Sequence, residues 1–197
     1  MFTIINEISS KITIQKSKFI SYVFYCKSQE EMQQKLKEVK RQNLSANHVC
    51  YGCCFYENKN YLYYSSDDGE PSGTAGLQIC QAIKENQMVN MLIVVVRYFG
   101  GIKLGVPGLS KAYKDSAKQV IVENKKEVFL RNKYLILCEY NKFNEMKKIL
   151  DNLLISINEI KFDDAVSFNS YLTTVEFNKI SSLLKEYEMC ENTENYI

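Results

Sequence analysis

Residues Ser66–Lys114 read SDDGEPSGTAGLQICQAIKENQMVNMLIVVVRYFGGIKLGVPGLSKAYK. Both prolines of the chain and every glycine except Gly52 fall in this stretch. Glycine permits backbone conformations and close approaches that a Cβ would block, at an entropic cost. Here the glycines flank a run, Met91–Val96, that is apolar at consecutive positions, as expected of a central strand covered on both faces. Asp67, Asp68, Glu70, Arg97 and Lys103 lie beside them. A spacer would be glycine-rich too, but it would not enclose a buried strand.

Working outward, the spacing predicts a helix over about Thr74–Asn86 with Ile79, Ala82 and Ile83 inward. A second helix is predicted from near Pro107, a residue suited to a first helical turn. Leu109, Ala112, Tyr113, Ala117, Val120 and Ile121 form its helix-period apolar stripe. Arg97 to Gly101 is expected to lead the chain out of the strand. Upstream, residues 17–26 read as a strand. Ser28-x-x-Glu31 reads as a capping box, opening a helix to about Asn43 with Met32, Leu36 and Val39 on one face. His48–Tyr56 and Tyr61–Ser65, joined by ENKN, read as a hairpin.

Glu123–Glu127 (ENKKE) is a polar charge run and is taken as the boundary between two domains, 1–124 and 128–197. Beyond it the order becomes strand (129–140), helix (142–153), strand (155–162), strand (166–177, with Tyr171, Thr173, Val175 and Phe177 on one face) and helix (178–188, with Ile180, Leu183, Leu184 and Tyr187 inward). This β-α-β-β-α order suggests a small ferredoxin-like α+β sandwich. No closing strand is evident in the polar tail ENTENYI.

Composition narrows the function. Apolar residues make up 46% of 197, enough to bury a core. No apolar run reaches 18 residues, so a spanning helix is excluded. The start MFTIINEISSK lacks a basic n-region and a cleavage site, so the expected compartment is the cytoplasm, without membrane attachment. Seven cysteines, an odd number, argue against a disulfide framework. Net charge is +2. Residues 1–124 carry 15 basic and 11 acidic groups (+4), leaving −2 on the remainder. A surface for nucleic acid would therefore be a local patch on the first part.

SDDGEPSGTAG, VVRYFGGIKLG and the following Gly108-Leu109, Lys111, Ala112 and Tyr113 closely resemble the signature of the YigZ/IMPACT family. Ser17–Phe19 (SKF) and Asn47–Tyr51 (NHVCY) fit the same pattern. The resemblance is strong over about 17–122 and weak elsewhere. This chain has Pro107 where a second glycine is usual and Lys111 where arginine is usual. The resemblance implies a first domain with the β-α-β fold of a small-subunit ribosomal protein, as in elongation factor G and GHMP kinases. It implies a ferredoxin-like second domain like the C-terminal domain of elongation factor G. It also implies a link to translation. Eukaryotic relatives modulate translational control through an additional N-terminal domain, so their mechanism does not transfer.

Two sites are legible from the residues. The first is an anion site. The bend from Gly100 through Gly101 and Gly105 ends at a helix start, where free amides and the helix dipole attract phosphate. Arg97 and Lys103 flank it, and Lys111 and Lys114 lie in the helix's first turns. The same glycines would also suit a tight strand-to-helix turn with solvated lysines. A Walker A site fails, because Val106 and Pro107 stand where Lys and Ser/Thr belong. The first glycine of a dinucleotide fingerprint is absent. The expected partner is RNA, the ribosome or a translation factor, with no cofactor.

The second is a small-ligand pocket holding His48, Asp67, Asp68, Glu70, Ser72 and Thr74, on which an enzyme acting on a phosphorylated or peptide-like ligand could be built. Asp67, Asp68 and Glu70 could hold Mg²⁺, or the aspartates could close a turn with Ser72 or Thr74 capping the next helix. Convergence of the acidic and glycine loops would favour a small ligand over an RNA face. Carboxylates would then repel phosphate unless Arg97, Lys103 or a metal compensated. His48 is the only histidine. Zinc at His48, Cys50 and Cys53 is disfavoured, since strand neighbours alternate faces. A nucleophilic Cys50 or Cys54 lacks an orienting third group. Ser66, His48 and Asp67 lack a nucleophile-elbow context. Tyr61, Tyr63, Tyr64, Tyr98 and Phe99 could stack on bases if exposed, though no RNP1-like string occurs. No metal ligand set and no catalytic residue are assigned.

Overall fold

The computed structural model describes residues 1–57, 60–122, 124–129, 131–183 and 188–196. The chain divides into two compact units, Met1–Val128 and Phe129–Ile197. Both are mixed α/β with antiparallel sheets.

The first unit contains β1 (Phe2–Ile4), β2 (Ile8–Ile14), β3 (Ser17–Tyr25), α1 (Gln29–Gln42), β4 (His48–Glu57), β5 (Asn60–Ser66), α2 (Gly76–Glu85), β6 (Met91–Tyr98), α3 (Gly105–Val122) and β7 (Lys125–Glu127). Its main sheet has the order β2-β3-β6-β4-β5. The apolar run lies at its centre, and every residue from Met91 to Arg97 is buried. Alternation along β6 divides those side chains between two layers. Leu92, Val94 and Val96 pack with Val49 and Cys53 against Met32, Leu36 and Val39 of α1. The opposite face meets α2 and α3: the Phe19 and Tyr113 rings touch edge-on at 5.3 Å, and Ser21 Oγ–H donates to the Ser116 carbonyl at 2.9 Å. Register places Phe19, Arg97 and His48 in one row across β3, β6 and β4 on this second face.

Several local expectations change. The strand does not end before Arg97. It continues through Tyr98, because both residues pair with β3 and Arg97 also pairs with β4. Ser28 accepts from the Glu31 amide at 3.2 Å, but Glu31 returns its carboxylate to the Lys27 amide, not to Ser28's own. The helix expected from Thr74 starts at Gly76, with neither Ser72 nor Thr74 as its cap. Thr74 Oγ1–H donates instead to the Pro71 carbonyl. Two further strands, β1 and β2, precede the first expected one. The hairpin forms as expected, with Glu57 opposite Asn60; its tip, 58–59, lies outside the described residues. The charge run is not a free connector: Lys125–Glu127 forms β7, paired antiparallel with β1.

The second unit contains β8 (Arg131–Cys138), α4 (Tyr140–Asn152), β9 (Asn158–Phe162), β10 (Val166–Leu172), α5 (Thr174–Leu183) and β11 (Glu188–Tyr196), with sheet order β11-β8-β10-β9. Its core gathers Ile136, Met146, Leu150, Val166, Phe168 and Ile180. The second strand of its hairpin is shorter than the alternation to Phe177 predicts. It stops at Leu172, and Val166, Phe168, Ser170 and Leu172 face inward. Thr173 and Glu176 then form a reciprocal capping box, the Thr173 amide donating to Glu176 Oε2 at 2.8 Å and the Glu176 amide to Thr173 Oγ1 at 3.2 Å. Val175 and Phe177 are therefore helical. Leu184 and Tyr187 lie outside the described residues. A closing strand does exist, because the polar tail pairs with β8 as β11. Backbone pairing needs no apolar side chains.

Candidate functional site: a cleft where two loops meet

The acidic loop and the glycine-rich bend converge. Between them lies a cleft of ≈ 390 Å³ lined by Asn47, His48, Glu70, Pro71, Arg97, Phe99, Lys103, Leu104, Gly105, Val106 and Leu109.

Two of the three loop carboxylates turn away from it. Asp67 accepts from the amides of Gly73 (2.8 Å), Ala75 (3.0 Å) and Gly76 (2.8 Å), so it caps α2 from nine residues upstream. Burial by itself would raise its pKa, but these three donors outweigh burial and hold it below the usual carboxylate range. Asp68, in the left-handed region at φ +44°, accepts from the Val49 amide at 2.7 Å and pairs with Lys40 at 3.3 Å. Among the described residues no cluster of three His, Cys, Asp or Glu is placed to hold a metal.

Glu70 is the carboxylate that reaches the cleft, with its side chain only 3% exposed. Its Oε1 accepts from Arg97 Nη1 at 2.6 Å and from the Tyr113 hydroxyl at 2.8 Å. A buried charge without such partners would cost several kcal/mol, on the order of the penalty for breaking a buried pair. Arg97 runs between two rings, 5.6 Å from the Phe19 centroid and 5.4 Å from that of Phe99. Its Nε is buried and meets no acceptor. His48 Nδ1 lies 2.9 Å from the Asp68 carbonyl, and its Nε2 lies 3.8 Å from Glu70 Oε1.

The bend over the cleft is partly engaged with the protein. The Phe99 amide donates to Asn47 Oδ1 and the Gly100 amide to Ser17 Oγ. Gly100 is there for clearance, since a Cβ would fall 2.0 Å from the Lys16 carbonyl carbon. Among the described residues no acceptor meets the amides of 101–104. Gly105, at φ +69°, turns the chain into α3. Lys103 lines the cleft, exposed and without a carboxylate partner among the described residues. Lys111 and Lys114 do not line it: Lys111 pairs with Asp115 and Lys114 with Glu85.

The thiol chemistry of this region is suppressed. Cys50 Sγ lies 3.0 Å from the Asp67 carbonyl, to which it donates, and 3.4 Å from the Tyr113 hydroxyl. Burial, only partly offset by that hydroxyl, pushes its pKa up to about 12. Burial likewise raises Tyr113, with Cys50 and Glu70 adding to it. Cys53 faces the other layer, 3.4 Å from Met32 Sδ. Tyr113 reads in the sequence as part of an apolar stripe and of the family signature, not as a site residue. The signal available was that a buried tyrosine hydroxyl needs a partner.

Both motifs lie in the part of the chain that matches known proteins. The Impact N-terminal domain family matches residues 15–121. The chain is 30% identical over 190 residues to the IMPACT family member YvyE of Bacillus subtilis, covering 94% of this chain and 85% of that one. It is 30% identical over 143 residues to YigZ of Escherichia coli, covering 70% and 68%. A crystal structure of a hypothetical protein superposes at TM-score 0.68 with 24% identity, over 95% of each chain, and so shares the fold. With the SDDGEPSG and RYFGGIKLG motifs forming one cleft inside the matched region, the chain belongs to the IMPACT family.

Proposed function

We propose that this chain is a non-enzymatic, translation-associated cytoplasmic protein that binds RNA, alone or within the ribosome, by holding phosphate at the mouth of the cleft. One observation carries the reading. Asp67 and Asp68 are spent on backbone amides and Glu70 is matched by Arg97, so Lys103 and the amides of 101–104 are the uncompensated groups there. Such groups attract an anion. Family membership supplies the link to translation. The β-α-β-β-α-β succession and the order β11-β8-β10-β9 support a ferredoxin-like second domain akin to that of elongation factor G.

The test is fluorescence anisotropy of labelled single-stranded RNA across a salt series. Affinity is expected to fall log-linearly with salt, and Lys103→Ala to reduce the slope by about 1. Absence of binding at low salt removes the reading.

A second reading is favoured by a specific observation, the meeting of the two loops around His48 and Glu70: an enzyme acting on a small phosphorylated ligand. The raised Cys50 and Tyr113 argue against a nucleophile or base from either, and leave His48 to do the chemistry. A thermal-shift screen of phosphorylated metabolites tests it; no stabilising compound would exclude it.

A further inference from the structure

The floor of the cleft presents acceptors. A carbonyl can only accept, so His48 Nδ1 carries the proton that bonds the Asp68 carbonyl. In the neutral ring Nε2 then offers a lone pair. It faces Glu70 Oε1 across 3.8 Å, beyond hydrogen-bond range, and no donor of the described residues reaches Glu70 Oε2. Oε1 is already satisfied by Arg97 and Tyr113. Two acceptors lining one cleft, with no protein donor, suit a ligand that carries two adjacent N–H donors.

The walls narrow the class. Phe99 is 44% exposed and is backed by the Arg97 guanidinium, so it offers a flat apolar face. Phosphate-seeking groups stand at the mouth, Lys103 and the amides of 101–104. An alkylammonium would also donate, but it has no flat face for Phe99 and would meet repulsion from Lys103. A nucleotide has the flat base, the donors and the phosphate, and ≈ 390 Å³ suits one such unit. Among the common bases only guanine carries adjacent donors, N1–H and the 2-amino group; adenine and cytosine set a donor beside an acceptor, and uracil flanks its one donor with acceptors.

We infer that the cleft takes a single unstacked guanine nucleotide of RNA, its base against Phe99 with its donor edge toward His48 Nε2 and Glu70 Oε2, and its phosphate at Lys103. This rests on the RNA-binding reading above. Unstacked bases laid on aromatic side chains and read along their Watson–Crick edge are the usual route to sequence-specific RNA recognition.

The experiment compares short labelled oligoadenylates of the full chain's binding: one with a single central guanine, one with inosine there, which lacks the 2-amino group, and one all adenine. Guanine is expected to bind about tenfold or more tighter than either. His48→Ala and, independently, Phe99→Leu are expected to abolish that preference. Lys103→Ala should weaken all three oligonucleotides and leave their ratio intact. Equal affinities in the wild-type chain, with Lys103 dependence kept, would overturn the guanine inference and leave phosphate binding standing. No binding of any oligonucleotide at low salt would overturn both.

Discussion

Asp67 sits in a motif that looks like metal-binding chemistry and uses its charge on three backbone amides instead. Removing it as Asp67→Ala is expected to cost about 1–2 kcal/mol at neutral pH, the scale of a lost helix cap. The pH dependence has a definite sign. Its folded pKa lies below the unfolded value of about 3.9, so its contribution is complete above that value and is lost as pH falls through the folded one. Urea titrations of wild type and variant should therefore converge in acid. Glu70 and Arg97 form the costly pair. Glu70→Gln or Arg97→Met alone is expected to lose about 3–5 kcal/mol, since each leaves a buried charge behind. The double variant should lose clearly less than the sum, which a denaturation cycle measures. Cys50, with its thiol held up near 12, should resist iodoacetamide at pH 8 until the chain is unfolded.

Elements were legible where side-chain periodicity carried them. Met32, Leu36 and Val39 announce α1, and the stripe from Leu109 to Ile121 announces α3. Errors came where two local signals competed or where backbone alone acted. Tyr171, Thr173, Val175 and Phe177 alternate like a strand, yet T-x-x-E at Thr173–Glu176 closes a cap and wins, its two side chains satisfying the amides of Thr173 and Glu176. Thr173→Ala should accordingly cost about 1 kcal/mol and shorten α5 by hydrogen exchange. At Gly100 the constraint is steric. Gly100→Ala must displace the Lys16–Ser17 backbone, and a loss of several degrees in melting temperature is expected.

At the scale of the molecule, the first unit closes on itself through its two ends. Phe2–Ile4 pairs with Lys125–Glu127, the Ile5 amide bonds the Asn124 carbonyl, and Asn124 bonds Asn6 through its side chain. A fragment ending at residue 128 keeps this closure, and one ending at 124 loses the strand pair. The shorter fragment should melt several degrees lower by calorimetry.

The sequence by itself determined which stretches bury their side chains, where the glycines and charges of the site lie, and the family to which the motifs belong. Those are properties of residue type and spacing, written at each position. Only the tertiary structure decided which charges are free. Glu70 and Arg97 are 27 residues apart and cancel, Asp67 and Asp68 are consumed by amides, and Lys114 is claimed by Glu85 from another helix. Hydrogen bonds and ion pairs act over a few ångströms in space, and that distance is set by the packing of α2 and α3 on the sheet, not by separation along the chain.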